Sequence, residues 1–222
     1  MKKIFFYVAA LLLLTSCDDE PTYSCDKQTD NWVKENIELV RSINRDSFLT
    51  YSGSKKRAMY RAFTPEQRIS LWKEKLNEVK MLSWNDREFS HIAKLEEFID
   101  MHTEYFMSGL SDDRRDVVDS FFYQWQTYAI DSLGWSKQIC FAIAGSPNRM
   151  NKNGEIEGDD LNVQKNTRSG KKGDDKDCNC NLKLLSDFCG ITGSAECTEK
   201  PCDESSWGCG WGWLEDCNGV CL

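Results

Sequence analysis

Between Asp30 and Leu133 apolar residues return every three or four positions with charged residues between them, a period that predicts amphipathic helices. Trp32, Val33, Ile37, Val40 and Ile43 make a first stripe. A second starts at Thr64-Pro65-Glu66-Gln67, which offers a capping hydroxyl, proline at the first helical position and glutamine at the third; Ile69, Trp72, Leu76 and Val79 follow on one face. Asn85 with Glu88 opens a third, carrying Phe89, Ile92, Leu95 and Ile99. Ser111, Asp112 and Asp113 open a fourth, with Val117, Phe121, Trp125 and Tyr128 as its stripe and Gly134 as its stop. Residues 46–62 add a short helix around Phe48, Met59 and Tyr60. Aromatic residues at this spacing are read as core. Residues 30–145 therefore predict a compact all-α N-terminal domain of four to six helices.

The pattern fails on either side of this body. Residues 146–177 hold seven basic and seven acidic side chains and few large apolar ones, so they predict a charged flexible linker. Asn151, Asn153, Gly154 and Asp160 fall on a calcium-loop template, but Arg149 occupies its first position and the template is set aside. Residues 178–222 carry Cys178, Cys180, Cys189, Cys197, Cys202, Cys209, Cys217 and Cys221 in a segment too small to sustain a core of its own. An even count of eight predicts a small disulfide-rich C-terminal module whose pairing the spacing does not decide. The rival for these thiols is a zinc or other thiolate site, suggested by Cys178-x-Cys180; it lacks a paired C-x2-C signature and nearby histidines.

Residues 1–16 combine Lys2 and Lys3, an apolar run from Ile4 to Leu14 and small residues before Cys17, which predicts a removable signal peptide; the run is too short to span a bilayer. Leu14-Thr15-Ser16-Cys17 resembles a bacterial lipobox, which assigns lipidation to Cys17, and the alternative is an ordinary signal peptide with Cys17 as one more bridge partner. Acyl chains on Cys17 would anchor the protein without spanning the membrane. Residues 17–29 then form a tether. Its Asp18-Asp19-Glu20 run resembles the signal that sends Bacteroidetes lipoproteins to the outer face of the outer membrane, or is simply a solvated acidic stretch. Cys25 and Cys140 flank the body, and a bridge between them is favoured over two separate thiols.

Composition narrows the function classes. The chain of 222 residues has formal charge -8, and loss of residues 1–16 removes two lysines and no acid, leaving 26 basic against 36 acidic side chains. That balance argues against nucleic acid as a partner. Eleven cysteines suit an exported protein better than a reducing cytoplasm. No hydrolase, kinase, dinucleotide or metalloprotease motif occurs, and His91 and His102 are read as structural, so no catalytic residue, metal or cofactor is assigned. Trp207, Trp211 and Trp213, set among glycines, are a candidate binding surface for a membrane interface or a glycan; equally, they fill a miniature core between disulfides.

Taken together, Tyr23-Ser24-Cys25-Asp26, the Asn31–Asn36 stretch, Ala62-Phe63-Thr64-Pro65-Glu66-Gln67, Gly208-Cys209-Gly210 and the terminal Cys217-Asn218-Gly219-Val220-Cys221 are similar to the bacteriocin fulvocin C-related family of Bacteroidetes lipoproteins. The resemblance covers nearly the whole mature chain. It implies a cell-envelope lipoprotein whose stapled tail takes part in antibacterial antagonism, and it brings no catalytic residue. The alternative is a non-toxic surface lipoprotein that docks a glycan or protein target through the same tail. In both readings the partners are the membrane, through the N-terminal lipid, and a cell-surface, protein or glycan target. The tail itself carries two lysines against seven acids, which disfavours attack on anionic lipid.

Overall fold

Side-chain caps set where two of the three longest described helices begin. The computed structural model describes residues 21–107, 110–157, 178–182, 188–189, 196–199 and 205–221. Its helices are α1 (Lys27–Glu35), α2 (Ile37–Val40), α3 (Arg45–Phe48), α4 (Gly53–Ala62), α5 (Pro65–Lys80), α6 (Asp86–Met101), α7 (Asp112–Leu133) and α8 (Lys137–Ala144). Four short strands follow: β1 (Cys197–Thr198), β2 (Ser205–Cys209), β3 (Glu215–Cys217) and β4 (Val220–Cys221). At α5 the Thr64 hydroxyl accepts from Gln67 N at 3.2 Å while Gln67 Oε1 accepts from Thr64 N at 3.1 Å. Asn85 and Glu88 close the same reciprocal box at α6. Each box satisfies backbone donors that a helix start leaves open. Gly134, at φ 74°, ends α7 in the left-handed conformation that glycine tolerates.

The all-α body and the disulfide-rich end agree with the sequence reading; several faces do not. The first stripe is interrupted at Asn36, whose φ of -111° and ψ of 25° separate α1 from α2, while its side chain donates to Trp32 O at 2.8 Å. On α7 the buried residues are Val118, Phe122, Trp125 and Ala129, so the helix is turned by one position from the predicted face, and Val117 and Tyr128 are exposed. Phe89, expected in the core, is 46% exposed. α8, with Cys140, Ala142, Ile143 and Ala144 buried, adds a helix that periodicity did not single out because it is too short to show one.

The folded body also extends past its predicted bounds at both ends. Tyr23 and Ser24, assigned to the tether, are buried; Tyr23 N donates to Asp30 Oδ1 at 2.7 Å, and the Arg61 guanidinium holds Tyr23 O at 2.9 Å. Residues 146–157, assigned to the linker, are packed on the body. Ser146, Asn148 and Met150 are buried, Arg45 donates to Pro147 O at 3.0 Å, Lys56 Nζ to Asn148 Oδ1 at 2.7 Å, and Lys75 Nζ to the Asn148 carbonyl. Asn151 Oδ1 accepts from Asn153 N and Glu155 N, an Asx turn that engages the oxygen the calcium template would use. Backbone partners missing from the local charge pattern are thus supplied by basic side chains of α3, α4 and α5. The remainder of the predicted linker, 158–177, lies outside the described residues.

The largest change concerns the tail. Its apolar side chains belong to the same buried cluster as the helices, which joins Val33, Tyr60, Trp72, Phe98 and Trp125 to Trp207, Trp211, Trp213 and Leu214. β2 and β3 pair antiparallel with an irregular register between Ser205 and Cys209, and β2 lies against α4. β1 and β4 pair with Cys197 opposite Cys221.

Candidate functional site

The segment from Trp207 to Trp213 is shaped for insertion into the body. Five of its seven residues have positive φ: Trp207 at 73°, Gly208 at 99°, Gly210 at 66°, Gly212 at 60° and Trp213 at 55°. The two tryptophans adopt a conformation that is costly for a bulky side chain, and the cost is offset by what their rings touch. Trp207 lies under the Arg68 guanidinium at 3.9 Å. Trp213 meets Tyr60 edge-on at 5.3 Å and donates its indole N–H to Gly145 O at 3.2 Å. Trp211 stacks on Phe122 at 5.2 Å with 3° between planes, and meets the Phe188 ring edge-on at 4.7 Å. The candidate binding surface is therefore core: Trp207, Trp211 and Trp213 are 8%, 2% and 8% exposed. An indole N–H and a large apolar face are both satisfied there, which is why a buried position wins over solvent.

Three side chains of the body frame this segment; sequence reading placed Tyr60 in a short helix and missed Arg61 and Arg68. Arg68 donates to Tyr60 O, Arg61 O and Phe106 O at 3.1, 2.9 and 3.0 Å, closing the carbonyl end of α4 while its face covers Trp207. Arg61 Nε reaches Trp207 O at 3.4 Å. Tyr60 donates its hydroxyl to Gly212 O at 3.1 Å and accepts from the Trp72 indole; burial pushes its ionisation well above the ordinary phenol range. A signal did exist: Arg68 and Lys75 sit in helical register with Trp72 and Val79, placing two cations inside an apolar stripe.

The cysteines divide into two sets. Cys180–Cys197, Cys189–Cys221 and Cys209–Cys217 are disulfides, and Cys178 is disulfide-bonded as well. Cys178, Cys209 and Cys217 form one buried cluster, so the Cys178-x-Cys180 pair is split between two environments and is no common ligand set. Cys17 and Cys202 lie outside the described residues. The expected Cys25–Cys140 bridge is not formed. Cys140 points into the core on α8, where burial pushes its thiol up to about 12, whereas Cys25 is half-buried at the entry to α1.

His91 and His102 are not brought together. His91 is buried, stacks on Trp125 at 4.9 Å, and exchanges bonds with it: Trp125 Nε1 donates to His91 O at 3.1 Å and His91 Nε2 lies 2.9 Å from Trp125 O. Burial lowers its pKa. His102 stacks on Tyr105 and pairs with Glu104 at the start of the next turn. A cleft of about 70 Å³ opens between the α2–α3 connection and α5, floored by Phe48, Phe63 and Leu71. Its polar rim is occupied with its own contacts: Gln67 holds Val40 O, and Ser70 donates to Glu74. A second void, about 20 Å³ and wholly apolar, lies where Gly212 and Leu214 meet α5, α6 and α7. No family model, curated protein or solved structure matches the chain.

Proposed function

We propose that the mature chain is a lipid-anchored protein of the cell envelope that engages a surface, protein or glycan partner as one folded body, without catalysis. The observation that carries this reading is the burial of Trp207, Trp211 and Trp213 among Phe48, Tyr60, Phe122 and Trp125. A tail that supplies core to the body is its closing element, and release would expose both partners. Support for the anchor comes from Leu14-Thr15-Ser16-Cys17. Support for a non-catalytic role comes from the cleft, where Gln67 is engaged with Val40 O and Ser70 with Glu74. Antibacterial antagonism, which the fulvocin C resemblance implies, then belongs to the whole chain, and the tail's seven acids against two lysines favour a specific partner over anionic lipid.

The test compares the oxidised peptide 178–222 with the mature protein on the same strain panel and the same immobilised envelope glycans. Retention or inhibition by the mature protein with an inert peptide is the expected result. Equal potency of the isolated peptide contradicts it.

A further inference from the structure

Two bridges of the tail run into each other. The sulfurs of Cys180, Cys189 and Cys197 all lie within 4.8 Å of one another although they belong to separate disulfides, Cys180–Cys197 and Cys189–Cys221. The backbone forces this convergence. The β1–β4 ladder sets Cys197 opposite Cys221, Cys180 pairs across to Gly219, and Asn179 Oδ1 accepts from Cys221 N at 2.9 Å. Gly219 leaves the room that the sulfurs fill, since a Cβ there would stand 2.6 Å from Cys197 Sγ.

That arrangement is close to a second chemistry of the same atoms. Thiolates bound tetrahedrally to zinc at about 2.3 Å stand about 3.8 Å apart, so on reduction Cys180 and Cys197 open from bonding distance to that spacing, while the Cys189 sulfur, within 4.8 Å of both, closes by no more than about 1 Å. The fourth, Cys221, starts on the Cys189 sulfur and after reduction is kept beside the group by the β1–β4 ladder, which sets it opposite Cys197. Access differs between the two sets of cysteines as well. Each outer bridge has one half-buried cysteine, Cys197 or Cys221, beside a buried one, Cys180 at 6% or Cys189 at 1% exposed, whereas both cysteines of the inner bridge, Cys209 and Cys217, are buried at 4% and 0%. A reductant reaches the outer pair of bridges before the inner one.

We propose that Cys180, Cys189, Cys197 and Cys221 are a redox-convertible unit, two disulfides when oxidised and a tetrathiolate site for a soft divalent cation of the zinc type when reduced. A dithiol reductant delivers two electrons and two protons to each bridge, breaking both S–S bonds, leaving four thiols and becoming itself a disulfide. The cation then displaces one proton from each thiol as four metal–sulfur bonds form. Two cross-links are replaced by one four-armed node holding the same backbone positions, so the β1–β4 ladder survives the change. Borderline-soft zinc suits four thiolates, and hard cations such as magnesium do not. This inference stands apart from the proposed partner binding, because it concerns the tail's own stability.

The experiment uses the mature chain, reduced anaerobically with a phosphine and titrated with Co²⁺ as an optical stand-in for Zn²⁺. The expected result is a thiolate-to-cobalt charge-transfer band that saturates at about one ion per chain and is bleached by Zn²⁺. Cys189→Ser loses that endpoint, while Cys140→Ser, which removes the core thiol, keeps it. Because the reduced variants differ in folding, limited proteolysis gives a second readout: Zn²⁺ protects the 178–222 region of the reduced parent and gives Cys189→Ser no protection. Absence of the band, an unchanged endpoint in Cys189→Ser, or equal protease sensitivity with and without Zn²⁺ overturns the proposal.

Discussion

Lys75, with no exposed surface, sits beneath the loop that leaves α8 and donates to the Asn148 carbonyl. Burial, with Arg45 next in weight, lowers its pKa to about 7; Glu78 and Glu157 act in the opposite sense and Arg149 in the same one. The folded state therefore binds the proton less tightly than the unfolded chain. Below pH 7 both states are protonated and the penalty is complete; as pH rises from about 7 to 10.5 the folded amine is neutral while the unfolded one is still charged, and the penalty fades. The full difference is at most about 5 kcal/mol. Denaturant unfolding at stepped pH is expected to show stability from this group rising over that window, and Lys75→Met to flatten the rise. A parent whose stability falls across the window contradicts the assignment. Gly210 makes a comparable local prediction: at φ 66°, with an added Cβ 2.4 Å from the Glu215 carboxyl carbon, Gly210→Ala is expected to cost roughly 2–4 kcal/mol. A loss under about 0.5 kcal/mol, typical of an exposed site, would show that the loop is not seated against Glu215.

The Trp207–Trp213 segment joins local strain to core packing. Trp211→Ala is expected to lower stability by about 3–5 kcal/mol in urea unfolding, the range for emptying a large core site; a surface tryptophan would give almost nothing. The elements of the body were legible where local chemistry decides them. Thr64 with Gln67, Asn85 with Glu88, and Gly134 announce their ends because caps act on neighbouring backbone groups. What failed was non-local. The face of α7 is chosen by Trp211, which stacks on Phe122 from about ninety residues away, and periodicity within the helix carries no record of that partner. Glycines around three tryptophans suggested exposure, yet here they supply the positive φ that folds the indoles inward. The charge run after Gly145 looked solvated because its partners, Arg45, Lys56 and Lys75, are far away in sequence.

As a molecule, the chain closes one core with two stretches that the sequence separates by a charged segment. Every bridge between two described cysteines is internal to the tail, and among the described residues the tail meets the body through packing, hydrogen bonds and the Arg115–Asp216 ion pair at 3.1 Å, chiefly at Tyr60, Arg61 and Arg68. Disulfides then stabilise a shape that the body needs, and lipid at Cys17 would place the whole unit at a membrane without a spanning helix; none of the described helices is long and apolar enough to cross one. The most direct measurement is cleavage of the oxidised mature protein at a protease site engineered between residues 158 and 177. The two fragments are predicted to co-elute in size exclusion as one particle, to keep the tryptophan emission of the uncut protein, and to part only in denaturant. Fragments that separate in native buffer, with the body still helical, would show that the tail is an independent module and would contradict the shared core.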